Sequence, residues 1–215
     1  MERGWLLLIL ACGLSGCAGP SLERIKDYNQ DGVHLFRTGD YRSALESFQA
    51  AQKLAPEDPA LFYNVGQCYD HLGNPTLAER SYTECVQRAS NHAECRHALV
   101  TLLVRTGRRG EAEQMVQAWL AREPQKAVAY AEDGWLAMQA GDLPRAHARL
   151  QQALELDPHE PRVLIELARI YEATQRPDRA VALYERVLEH EPNNPEVIKR
   201  LNLLRSQGAS RPQPG

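Results

Sequence analysis

Alanine stands at positions 44, 78, 112, 146 and 180, and the residues around it keep the same 34-residue spacing. Five residues before each alanine comes glycine (39, 73, 107, 141) or, in the last case, Gln175. Four residues after it comes a bulky apolar side chain: Phe48, Tyr82, Val116, Leu150 and Tyr184. Pro56, Ser90, Pro124, Pro158 and Pro192 close the units. A unit of this length is one helix–turn–helix hairpin, too small to bury its own apolar face, so consecutive hairpins must stack into a solenoid.

Counted from Ile25, the units are 25–58, 59–92, 93–126, 127–160 and 161–194. Apolar residues at helical spacing predict a first helix over about the first fourteen positions and a second over about positions 18 to 31. In the second unit Phe62, Val65, Gly66 and Tyr69 make one face, opposed by Ala78, Tyr82 and Cys85. The turn glycines permit the positive φ that reverses the chain. Pro158 and Pro192 end the second helices, because their rings cannot continue the hydrogen-bond ladder. Gly66, Gly134 and Ala168 fall where helices should approach closely. The third unit departs, with Val100 in that small column and Trp119 where the first unit has Ala51, which predicts a locally wider helix spacing with Trp119 buried. Residues 195–207 carry one more apolar stripe, Val197, Leu201 and Leu204, and read as a capping helix over the last hairpin. Residues 208–215 hold two prolines and no large apolar side chain, which predicts a disordered tail.

The columns resemble those of the tetratricopeptide repeat: large, large, small, large on the first helix, then small, aromatic, small on the second. They are clearest at Phe62, Val65, Gly66, Tyr69, Ala78 and Tyr82, and at Tyr28, Gly32, Leu35, Ala44, Phe48, Ala51 and Pro56. The resemblance covers 25–194 and implies an all-α, right-handed superhelical solenoid of five repeats plus the cap. It also implies a protein-binding role, with a groove lined by the first helices.

The opening of the chain has a different character. Trp5 to Leu14 is mostly apolar, and as a helix it would span about 15 Å, half a bilayer, so it reads as a signal segment. Leu14-Ser15-Gly16-Cys17 follows and resembles the lipobox of bacterial lipoproteins. That resemblance implies cleavage after residue 16, acylation of Cys17, a short linker over 17–24, and, with Ala18 after the cysteine, the periplasmic leaflet of the outer membrane. Several acyl chains hold firmly where one, at ~0.8 kcal/mol per methylene, does not. An ordinary secretory signal is the alternative.

The net charge of −3 and the absence of a basic run give no case for nucleic acid. No phosphate-binding glycine loop, nucleophile elbow or His-Glu-x-x-His pair occurs, so neither catalysis, a cofactor nor a small-molecule substrate is expected. His92, Cys95 and His97 are close in sequence but match no structural zinc spacing; His92 as a turn residue and His97 in the groove is the plainer reading. Cys68, Cys85 and Cys95 remain after the leader. A turn could join Cys85 to Cys95, or all three could be small buried hydrophobes.

Projecting the repeat register onto the groove selects Asn29, Phe36 and Arg37 in the first unit, and Tyr63, Gln67, Asp70 and His71 in the second. The third adds His97, Thr101 and Arg105, the fourth Trp135, Met138 and Gln139, and the fifth Ile165, Arg169 and Glu172. Trp135 beside Met138 would be an exposed anchor of the hot-spot type, or it packs against a neighbouring repeat. Asn29 and Val33 stand where the chaperone-tail clamp of eukaryotic repeat proteins needs lysine and asparagine, so that ligand is not expected. The envelope lipoproteins of type IV pilus biogenesis share this lipobox and repeat array, and the resemblance implies help in assembling a secretin. An adaptor for cell-wall enzymes or for outer-membrane protein assembly is a second reading, and a periplasmic enzyme a third.

Overall fold

The structure, a computed structural model, describes residues 22–89 and 92–210. Among them are eleven helices and no strand. The hairpins are α1 (Leu22–Thr38) with α2 (Tyr41–Leu54), α3 (Pro59–His71) with α4 (Pro75–Arg88), α5 (Ala93–Arg105) with α6 (Arg109–Arg122), α7 (Ala127–Gln139) with α8 (Leu143–Leu156), and α9 (Pro161–Ala173) with α10 (Pro177–His190). α11 (Pro195–Ser206) follows as the capping helix. From α2 and α3 onward, corresponding helices start 34 residues apart, without slippage. The leader, Cys17 and residues 211–215 lie outside the described residues. α1 already runs at Leu22, inside the segment 17–24 expected as linker; Glu23 in its first turn suits the positive end of the helix dipole.

Short-range chemistry sets these boundaries. Asp40, Asp142 and Asn194 cap α2, α8 and α11, each accepting a backbone N–H at 3.1 Å. The hairpin turns close by Schellman-type bonds, as where Asp142 N–H reaches Ala137 O at 2.9 Å around Gly141 at φ 77°. Gln175 takes the same place in the fifth unit at φ 58°, a conformation that strains a side-chain-bearing residue by roughly 1 kcal/mol.

The chain divides into two compact units, 1–81 and 82–215, with the boundary inside α4. In the first, Ala44, Phe48, Val65 and Cys68 form the core, with Val33, Leu35, Phe36, Leu45 and Tyr69 around it. Gly32 is buried against Phe48: a Cβ there would lie 2.6 Å from the ring. The second unit repeats this contact, since a Cβ on Gly134 would meet Leu150 at 2.9 Å. In the third hairpin the same two columns hold Val100 and Val116, both fully buried, so the extra bulk on the first helix is matched by a smaller residue on the second. Trp119 is buried there too, under the Arg96 guanidinium at 4.2 Å.

α11 seals the last hairpin with Val197, Leu201 and Leu204 and ties down through Arg205–Glu185 at 2.9 Å. Gly208 at φ 90° and the Ala209 N–H to Leu204 O bond finish the helix, and Ala209 packs against the core. Residues 208 and 209 are thus part of the cap, not of a free tail. Cys85, at the end of α4, and Cys95, early in α5, form a disulfide with Cα atoms 6.1 Å apart. Cys68 is a buried free thiol, its pKa pushed up to about 12 by burial.

Glycine substitutions probe this packing. Gly32→Ala should cost about 1–3 kcal/mol through the Phe48 clash. Gly110→Ala, where a Cβ meets nothing within 4 Å, should be neutral or stabilising; denaturant titration of both variants checks the contrast. The Cys85–Cys95 bridge closes a loop with a sequence separation of 10. By the chain-entropy model its reduction should cost about 2–3 kcal/mol and lower Tm by roughly 5–10 °C, with non-reducing peptide mapping finding Cys68 free.

Candidate functional site

In the second unit α5, α7, α9 and α11 bring charged side chains together on one face of the first helices. Glu132 on α7 is fully buried. His97 Nδ1 on α5 lies 3.0 Å from Glu132 Oε1 and 2.5 Å from an Arg162 Nη, and Arg162 on α9 donates to Oε2. Three successive hairpins are joined by that one carboxylate. Burial works against its ionisation, but the Arg162 charge and the His97 hydrogen bond outweigh it and hold its pKa below the ordinary 4.5. Trp135, one turn along α7, meets the His97 ring edge-on, with centroids 5.1 Å apart at 84°.

One unit further along, Glu166 occupies the repeat position of Glu132. Its Oε1 accepts from Arg169 at 2.7 Å, while Arg169 also pairs with Glu196 on α11. Oε2 is buried with no hydrogen-bond partner. Burial is the largest influence and lifts the Glu166 pKa above 4.5 despite the nearby Arg169 and Arg162 charges. Beside it opens a cavity of about 380 Å³, lined by His97, Arg162, Ile165, Glu166, Arg169 and surrounding carboxylates. A second acidic side chain, Glu172, accepts from Tyr184 at 2.7 Å and from Arg200.

The residues projected onto the groove divide accordingly. His97, Ile165 and Arg169 come together at the cavity, and Thr101 Oγ1 lies 3.5 Å from His97 Nε2. Trp135 is not the exposed anchor: it is 8% exposed, covered by His97 from the preceding hairpin. Met138 packs against the core, Gln139 and Arg105 are exposed, and Glu172 is engaged by Tyr184 and Arg200. In the first unit Asn64 donates to Asn29 at 3.2 Å and Gln67 to the Tyr63 hydroxyl at 2.9 Å. Phe36 and His71 both pack on Tyr41, His71 stacked at 4.3 Å. Arg37 is exposed and Asp70 half-buried.

Sequence reasoning missed Glu132, Arg162 and Glu166. Nothing in the sequence analysis singles out Glu132 and Glu166, although their column holds Gln30, Asn64 and Ala98 in the other units. A charge confined to two successive units beside the small column was the available signal. Of His92, Cys95 and His97, which the sequence does not favour as a ligand set, His97 turns to Glu132. Cys85, His92 and Cys95 instead bring potential ligand atoms within 4.8 Å of one another. The disulfide commits both sulfurs, and a metal would require them as thiolates.

Tetratricopeptide-repeat models match residues 72–132 and 137–201, and a second such model matches 31–93. The chain belongs to the tetratricopeptide-repeat family. Among curated proteins it is 28% identical over 174 residues to cellulose synthase operon protein C of Xanthomonas axonopodis pv. citri, covering 77% of this chain and 12% of that protein. It is 24% identical over 183 residues to mouse (Mus musculus) DnaJ homolog subfamily C member 3, covering 78% of this chain and 36% of that one. The chain thus spans a minor part of the relatives it matches. Among solved structures, the Thermus thermophilus repeat protein TTC0263 superposes with TM-score 0.63 at 25% identity, over 85% of this chain and 99% of that one. PilF of Pseudomonas aeruginosa superposes with TM-score 0.53 at 17% identity, over 86% of each. The fold is that of a protein-interaction scaffold, all-α tetratricopeptide repeats ending in a capping helix.

The two buried carboxylates should shape the pH dependence of stability in opposite senses. A carboxylate held low adds stability above its unfolded pKa that is lost as pH falls through its folded value. One held high adds stability below its unfolded pKa that is lost as pH rises through its folded value. Glu132→Gln should therefore flatten the loss of stability below the ordinary value of 4.5 and cost about 3 kcal/mol at neutral pH by stranding Arg162. Glu166→Gln should flatten the decline above that value. Denaturation midpoints between about pH 3 and 8 report both slopes.

Proposed function

We propose that this chain is a non-catalytic, lipid-anchored scaffold of the bacterial envelope, whose first-helix face takes a segment of another envelope protein. The observation that carries this reading is the Leu14-Ser15-Gly16-Cys17 motif behind an apolar stretch and ahead of an interaction-type repeat array. Acylated Cys17 anchors it, on this reading at the periplasmic leaflet of the outer membrane, and the repeats present Asn29, Phe36, Arg37, Tyr63, Gln67, Asp70 and His71 from one unit. From the other they present the His97–Arg169 surface with Thr101, Arg105, Gln139 and Glu172. The partner of first choice is a secretin subunit of the type IV pilus machinery, in line with the lipoprotein resemblance. The likeness to PilF supports this in fold alone.

Expressed in an envelope-bearing bacterial host, the wild-type chain should incorporate an alkyne-palmitate label and sediment with membranes; Cys17→Ser should do neither. A wild-type chain that takes no label and stays in the soluble fraction contradicts the anchor. Crosslinked capture should recover secretin subunits. Recovery of murein hydrolases in their place would select the cell-wall adaptor and overturn the pilus assignment.

A further inference from the structure

We infer that the cavity beside α9 is a subsite for a basic side chain, arginine or lysine, on the segment the scaffold binds. The inference rests on the scaffold reading above and supplies the chemistry of the partner. Its warrant is a comparison of two equivalent positions within the chain. Glu132 and Glu166 stand 34 residues apart in the same repeat column. Glu132 is satisfied from both sides, by His97 of the preceding hairpin and by Arg162 of the following one.

Glu166 is nearly as buried, at 4% exposure, but the repeat gives it different neighbours. The position equivalent to His97 is Ala131, which offers no donor, and the position equivalent to Arg162 is Glu196, which is acidic. Arg169 reaches across from Glu166's own helix, but it uses Oε1 and divides its guanidinium with Glu196. Oε2 is left buried without a hydrogen-bond partner. An unmatched buried carboxylate oxygen keeps its desolvation penalty, and a donor brought to it offsets that cost.

The cavity Glu166 lines supplies the room and the field for such a donor. Its volume of about 380 Å³ lies in the range of ligand sites and exceeds one side chain. Glu94, Glu160, Glu191 and Glu196 also line it, against the two guanidiniums of Arg162 and Arg169, which are themselves paired with Glu132 and with Glu166 and Glu196. The lining therefore carries net negative charge and attracts a cation. Ile165 and Val128 offer apolar wall for the methylene stem. A guest guanidinium or ammonium against Glu166 would do for this carboxylate what Arg162 does for Glu132.

The test titrates N-acetyl-arginine amide and N-acetyl-lysine amide into the ¹⁵N-labelled full chain, with N-acetyl-citrulline amide as the neutral isostere. At least one basic probe should shift the amides of residues 162–169 saturably, and which one does so distinguishes arginine from lysine. Citrulline should bind at least tenfold more weakly, as should the effective probe to Glu166→Gln. Glu166→Gln keeps the shape and the Oε1 acceptor for Arg169, and its amide spectrum checks the fold. Equal binding by citrulline, unchanged affinity of Glu166→Gln, or no saturable shift at α9 with either basic probe would overturn the subsite. If crosslinked capture of the same envelope partner survives Glu166→Gln at wild-type yield, the basic-side-chain assignment falls while the scaffold reading stands.

Discussion

Everything else in the chain depends on how closely the two helices of a hairpin approach. That approach is set by a small residue on the first helix facing a large one on the second. Gly32 leaves room for Phe48, and Gly134 for Leu150, with no space for a further carbon at either contact. The third hairpin holds two valines in these columns, and Ala168 with Tyr184 fills them in the fifth. In the third hairpin the larger first-helix residue meets a smaller second-helix one, whereas the fifth is larger than the fourth in both columns. The strict 34-residue period thus accommodates different side chains in both columns without a change of helix register.

Close packing of the hairpins fixes the first helices, and the first helices fix the polar face. Glu132 is buried on α7 and held there by the Arg162 guanidinium of α9, with His97 Nδ1 of α5 at 3.0 Å. The same column one unit later meets an alanine and a glutamate, so an equivalent carboxylate is left half-satisfied beside a cavity. A repeat thus creates a distinctive place by failing to repeat its partners. The chemistry is modest: hydrogen-bonded carboxylates and guanidiniums suited to recognition.

Much of the fold was legible because its determinants are local. Proline at the helix starts, glycine at the turns and apolar spacing of about 3.6 act within a few residues, and each hairpin boundary follows from them. The face was less legible because it depends on neighbours about 34 residues away. The register of Trp135 allows an exposed anchor or packing on a neighbouring repeat, and His97, from the preceding hairpin, lies against its edge. Glu132 is marked out by Arg162 and His97, which lie 30 and 35 residues away in sequence. The Cys85–Cys95 pairing was an open alternative, because the distance between two cysteines flanking a turn depends on the exit angle of α4.

The role of the facing side chain can be tested most directly by a double-mutant cycle between Gly134 and Leu150, with stability read from denaturant unfolding. Gly134→Ala in the wild-type background should destabilise by about 1–3 kcal/mol, because its new methyl meets Leu150. In a Leu150→Ala background the same change should be neutral or stabilising, giving a coupling of at least about 1 kcal/mol. Equal costs in the two backgrounds would mean that the facing side chain does not set the approach of the helices, and the account would fail.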